Sequence, residues 1–140
     1  MKPFDIEIIL ARREDDFQAA KNLILDYVAW LGMDLSFQNF NAELADLPAM
    51  YAEPTGGLLL VTVNGQYAGV AGIRKFADGE CELKRMFVRA EYRNLGLGQR
   101  LMTEALALAK RLGYAFVKLP PYRFNPHEQA RYFELKMPVR

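Results

Sequence analysis

The sequence predicts a single α/β domain of the α+β type, with helices flanking a largely antiparallel sheet. Three observations carry that prediction. Apolar residues recur at helical spacing in two long segments, residues 17–31 and 97–112. Between them, strand-like runs are joined by the tight-turn signals Asn64-Gly65 and Ala77-Asp78-Gly79. A glycine-bearing stretch, Arg93-Asn94-Leu95-Gly96-Leu97-Gly98, links the last of those runs to the second helix. The 140 residues are enough for one hydrophobic core, so residues 1–140 are read as one domain.

Residues 4–10 alternate and then turn apolar through Ile8, Ile9 and Leu10, as a first strand does. Glu14, Asp15 and Asp16 suit the first turn of a helix, where the dipole favours acids. That helix buries Phe17, Ala20, Leu23, Ile24, Tyr27, Val28 and Leu31 on one stripe, and Gly32 is its expected stop. A second helix is predicted over residues 40–50, interrupted at Pro48. Glu53-Pro54-Thr55-Gly56-Gly57 is turn material. Strands then follow at residues 58–63, 66–75 and 80–88, forming a meander. Gly69 and Gly72 mark close backbone approach in the middle strand. The best-defined helix puts Leu97, Leu101, Ala105, Leu108 and Leu112 on one stripe and ends at Gly113. A short apolar piece at residues 114–119 follows, then Pro120-Pro121, and a final strand is predicted over residues 131–136.

Composition excludes several classes. Lys plus Arg number 18 and Asp plus Glu 17, so the net charge is +1 and a general nucleic-acid binder is not expected. No apolar run is long enough to span a bilayer, so no membrane partner is expected. The N-terminal residues carry an acid and no signal-peptide core. One cysteine, Cys81, makes no internal disulfide, which fits a cytoplasmic location. With one histidine, His127, no metal site is expected.

The stretch at residues 93–98 is the chemically pointed feature. A short loop from strand into helix lets backbone N–H groups converge on an anion at the positive end of the helix dipole. The dinucleotide fingerprint fails because Leu101 stands where its third glycine belongs. A P-loop fails because no Gly-Lys-Ser/Thr follows.

Taken with Glu82-Leu83-Lys84-Arg85-Met86-Phe87-Val88 before it, the stretch resembles the GNAT N-acetyltransferase superfamily. That family's signature is a strand followed by Arg/Gln-x-x-Gly-x-Gly/Ala opening a helix. The resemblance implies a GNAT-like, mostly antiparallel mixed sheet flanked by helices. It implies acetyl-CoA as co-substrate and transfer of acetyl to a primary amine by direct attack. Arg93, Asn94, Leu95, Gly96, Leu97, Gly98, Gln99 and Arg100 would then cradle the coenzyme A pyrophosphate. Met86, Phe87 and Val88 would face the pantetheine, a backbone N–H there stabilising the developing oxyanion.

Glu82 matches the position of a general base in some members; its other reading is an ion pair with Lys84 or Arg85. For the acid on the leaving thiolate, Tyr114, Tyr122 and Tyr132 are the available hydroxyls; Tyr122, in the loop that would line the acceptor side, is the candidate, and packing is the other reading of each. Cys81 reads as a buried, inert thiol. Trp30, Phe37 and Phe40 belong to the region that forms the acceptor wall in members, or pack the core.

One departure stands out. Members place a strand, a tyrosine-bearing helix and another strand after the long helix, and a strand plus a helix takes about 15–20 residues. Only residues 114–119 precede Pro120, so the C-terminal half is expected to be shortened, either as a natural variant or because a segment is missing from this sequence. That motivates an alternative, a non-catalytic acyl-CoA-binding or interaction module. It also motivates a homodimer, in which a second copy covers the exposed sheet edge.

Overall fold

The computed structural model describes residues 4–31, 40–119 and 133–136. The strands are β1 (Ile6–Leu10), β2 (Gly57–Val63), β3 (Gln66–Ala77), β4 (Glu80–Val88), β5 (Phe116–Leu119) and β6 (Phe133–Lys136). They form one six-stranded sheet in the order β1-β2-β3-β4-β5-β6. Neighbours are antiparallel except β4 and β5, which are parallel. A parallel pair needs a crossover, and helix α4 (Leu97–Arg111) supplies it. On the other face lie α1 (Glu14–Leu31), α2 (Phe40–Ala45) and α3 (Leu47–Met50).

Local chemistry accounts for most of these boundaries. Asn64 and Gly65 take φ of 50° and 82°, as a two-residue hairpin requires, and turn β2 back on β3. Asp16 opens α1 by accepting the N–H groups of Arg12 and Arg13, each at 3.1 Å. Gly113 ends α4: its N–H donates to Lys110 O at 3.0 Å, and Tyr114 N–H reaches Ala109 O at 3.1 Å. Ala115 and Phe116 N–H groups then meet Gly79 O, so β5 starts beside the tip of the β3–β4 hairpin.

The structure corrects several boundaries. The helix expected over residues 40–50 divides at Asp46 into α2 and α3. Pro48 lies in the first turn of α3, where no intrahelical partner is lost. β3 runs on to Ala77. Residues 114–119, too few for a strand and a helix, hold a strand, β5. β6 continues the sheet from β5, with Leu119 opposite Phe133. Gly32, Phe37, Pro120, Tyr122, His127 and Tyr132 lie outside the described residues.

Two cores sandwich the sheet. On one face, Leu97, Leu101, Ala105 and Leu108 of α4 pack on Val61, Ile73, Leu83 and Val117. On the other, Leu23 and Ile24 of α1 and Leu47 of α3 pack on Leu58, Leu60 and Val70. Each fully buried leucine contributes about 2 kcal/mol of burial free energy.

Candidate active site

β4 alternates cleanly at its start, Cys81 and Leu83 entering the α4-side core. The alternation then slips. Val70 lies opposite Phe87 and Gly72 opposite Lys84, so Ala71 faces two residues of β4, Arg85 and Met86. This is a β-bulge, and Arg85 takes φ 59°, a left-handed conformation uncommon for a side-chain-bearing residue. After it, Met86 packs toward α4 and Phe87 toward α1.

The bulge sends two consecutive cations to the α2 side. Glu43 of α2 is 2% exposed, and its Oε2 accepts Arg85 Nε and the Tyr51 hydroxyl, each at 2.8 Å. Arg85 Nη2 donates to Oε1 at 3.2 Å, making the pair bidentate. Lys84 Nζ and Arg74 Nη1 each stand 3.9 Å from Oε1. Burial pushes the Glu43 carboxyl up, but the hydrogen bonds and charge of Arg85, with Tyr51 and Lys84, hold it below the usual range. Burial and the Glu43 charge raise the Tyr51 hydroxyl. Burial and neighbouring Arg85 lower Lys84. Tyr51 fits because residue 72 is glycine: a Cβ there would stand 2.6 Å from Tyr51 Cε1.

Glu82 lies on the same face, buried, with Lys84 Nζ 3.9 Å from its Oε1. Arg85, the other partner considered for Glu82, is turned to Glu43 instead. Beside Glu82 the pairing of β4 with β5 ends. β4 pairs with β5 through Glu80, Cys81 and Glu82, and among the described residues no strand flanks Leu83–Val88 on that side. Arg89 N–H donates to Ala68 O of β3. Alternation along the strand therefore turns the N–H groups of Val88 and Met86 away from β3, onto the open edge.

The glycine loop begins where this edge ends. A 3₁₀ turn at Ala90–Tyr92 leads into Asn94 and Gly96, both left-handed at φ 75° and 74°. Alternating left-handed residues bring successive N–H groups to one side, a shape that holds anions. Gly96 is the N-cap of α4, and Arg100 N–H is bonded back to Gly96 O at 3.2 Å. The N–H groups of Leu97, Gly98 and Gln99 fall in the first turn, where a helix offers no acceptor. The Leu97 side chain enters the core, leaving its backbone to the loop, and Gln99 and Arg100 are exposed.

Arg93 is oriented differently from its expected neighbours. Its Nε donates to Val88 O at 3.1 Å, and its guanidinium lies 5.0 Å from the Trp30 ring centre and 5.8 Å from that of Phe87. Trp30 and Tyr27 in turn pack against Phe87, at 6.3 and 5.6 Å between ring centres. Tyr114 is committed elsewhere, donating to Thr55 O at 2.6 Å. Cys81 is buried, and its thiol is pushed up to about 11 by burial, as for an inert core cysteine. Among the described residues no three His, Cys, Asp or Glu side chains are placed to hold a metal, and no helix is long and apolar enough to cross a membrane.

The structure thus brings Glu82, Met86, Val88 and the loop along one strand and its exit. Sequence reasoning missed Glu43, Tyr51 and Arg74 around Arg85. A signal existed: Lys84-Arg85-Met86 breaks the alternation of β4, as a bulge does.

A strand running into a glycine loop that opens a helix is the arrangement on which the resemblance to the GNAT superfamily rests, and the comparisons bear on that family directly. The acetyltransferase (GNAT) family profile matches residues 24–134. An N-acetyltransferase of Schizosaccharomyces pombe, itself uncharacterized, is 32% identical over 98% of both chains. That alignment runs over 160 positions, longer than this chain of 140, so part of the relative falls opposite gaps. A GNAT acetyltransferase of Staphylococcus aureus Mu50 superposes with a TM-score of 0.72 at 23% identity, covering 86% of this chain and 76% of its own. The PaiA N-acetyltransferase of Thermoplasma acidophilum, solved in complex with coenzyme A, gives 0.68 at 15%, covering 95% and 99%. The chain belongs to the acetyltransferase (GNAT) family. It is an acetyltransferase, the enzyme class of the first reading drawn from the sequence.

Proposed function

We propose that this enzyme moves the acetyl group of acetyl-CoA to a primary amine by direct attack of the neutral amine on the thioester. The observation that carries the reading is the edge of β4 between Glu82 and the loop, which no strand among the described residues flanks. A pantetheine arm laid along that edge would find the N–H groups of Met86 and Val88 where a thioester oxygen gains charge. The pyrophosphate would rest on the N–H groups from Leu95 to Gln99, with Asn94 and Gly96 shaping the turn; the Arg100 N–H, expected to join them, is taken by Gly96 O.

Gly98 supports the fit. Its φ is not left-handed, and a Cβ there would meet only Met86 Cε, at 3.9 Å. The fold alone does not require glycine at that position; a phosphate pressed against the backbone does.

An alkylammonium has a pKa of about 10.4 and must lose a proton before attacking. Glu82 takes that proton, directly or through one water. Tyr122 is the proposed acid for the departing thiolate. Trp30 forms part of the acceptor wall, held by Phe87 and Arg93.

The test is calorimetric titration of acetyl-CoA into wild type and Gly98→Ala, with thiol release followed on a panel of amines. Wild type binds and releases thiol with at least one amine. Gly98→Ala melts no lower, since alanine is the better helix former, yet binds acetyl-CoA at least about tenfold more weakly, or about 1.4 kcal/mol. Unchanged affinity in the variant removes the loop from the site. Binding without thiol release on any amine overturns the proposed reaction.

A further inference from the structure

We propose that Glu43 is a positioning residue for acetyl transfer: acting through Arg85, it holds the β4 bulge that aims the Met86 N–H at the open edge. The proposal rests on the reading that this edge receives the thioester. Arg85 is the residue whose backbone makes the bulge, and its left-handed φ of 59° is one that glycine, and less readily Asn or Asp, adopts but that other side chains disfavour. Its side chain is clamped from across the molecule by both oxygens of a carboxylate that is itself 2% exposed. Tyr51 holds that carboxylate from the other side, on α3's exit, in space that Gly72 leaves open.

The bulge sets the phase of everything after it. In a regular strand, Met86 would share a face with Lys84, and Phe87 would share one with Leu83. Instead Met86 packs with Leu83 on the α4 side, and Phe87 joins Tyr27 on the other. The backbone groups are turned with the side chains, so a loosened bulge misplaces the proposed oxyanion donor without touching the glycine loop.

Three variants test this: Glu43→Gln, Glu43→Gln with Arg85→Gly, and Glu43→Gln with Arg85→Ala. Glu43→Gln is expected to lower kcat on the order of tenfold, with KM for acetyl-CoA held within about twofold. The glycine double variant recovers kcat to within about threefold of wild type, because glycine adopts the left-handed bulge unaided. The alanine double variant removes the same charges but remains on the order of tenfold low, because alanine resists that conformation.

Wild-type kcat in Glu43→Gln, or equal kcat in the two double variants, overturns the positioning role. Should Glu43→Gln alone not fold, the glycine-against-alanine comparison decides, since neither double variant leaves Arg85 buried without its partner. Wild type that releases no thiol with any amine is a separate outcome: it overturns the acetyl-transfer reading and the proposal with it.

Discussion

On the α4 face of the sheet, Leu97, Leu101, Ala105 and Leu108 meet Val61, Ile73 and Leu83, and the contact is apolar. On the opposite face, α1 and α3 bring Leu23, Ile24 and Leu47, but α2 brings Glu43, and β4 answers with Lys84 and Arg85. Apolar contact is non-directional and accepts several packings of similar volume. A buried bidentate ion pair fixes one geometry, and is stabilising only while both partners are present. The α4 face thus sets how firmly the sheet is held. The α2 face sets the local shape of one strand, the strand along which the proposed chemistry runs.

Removing one partner from the charged face should do the most damage. Arg85→Met leaves Glu43 buried without its bidentate partner and is expected to destabilise by about 4 kcal/mol, read from urea unfolding. A loss below about 1 kcal/mol would mean that Lys84 and Arg74 already compensate Glu43, and the contrast between faces would shrink. Leu101→Ala, at a fully buried α4 position, should cost about 3 kcal/mol while leaving kcat per folded molecule unchanged. A fall in kcat there would show that the apolar face also shapes the site.

The smallest expected effect is on acid sensitivity. Glu43 sits below its ordinary value when folded. Its contribution is therefore fully present above the unfolded pKa, about 4.3, and is lost as pH falls through the lower folded value. Wild type should lose stability faster than Glu43→Gln as pH falls below about 4.3. Parallel curves would mean that the carboxylate is not stabilised in the folded state.

What could be read in advance follows the same division. The leucine stripe of α4, the Asn64-Gly65 turn and the glycine loop are decided by residues within a turn or two of each other. Their sequence spacing is their structural cause. The Glu43–Arg85 pair joins residues 42 positions apart, and no local pattern names the partner, although the slip at Lys84-Arg85-Met86 marked the place. Arg93 shows both limits. Its position beside the loop was legible, but its partners Trp30 and Phe87 come from other elements and turn its guanidinium toward α1. The break at Asp46 was placed at Pro48 because proline reads as an interruption, whereas the first turn of a helix accommodates it.

Arg93 also has a consequence for reach. By holding Val88 O while sitting at the mouth of the loop, it fixes the span between the left-handed turn and the last exposed stretch of β4. That span acts as a ruler. A ligand seated by its phosphates as proposed would arrive at Met86 with the length of its arm already measured, and a longer or shorter arm would present its reactive carbon to the wrong backbone group.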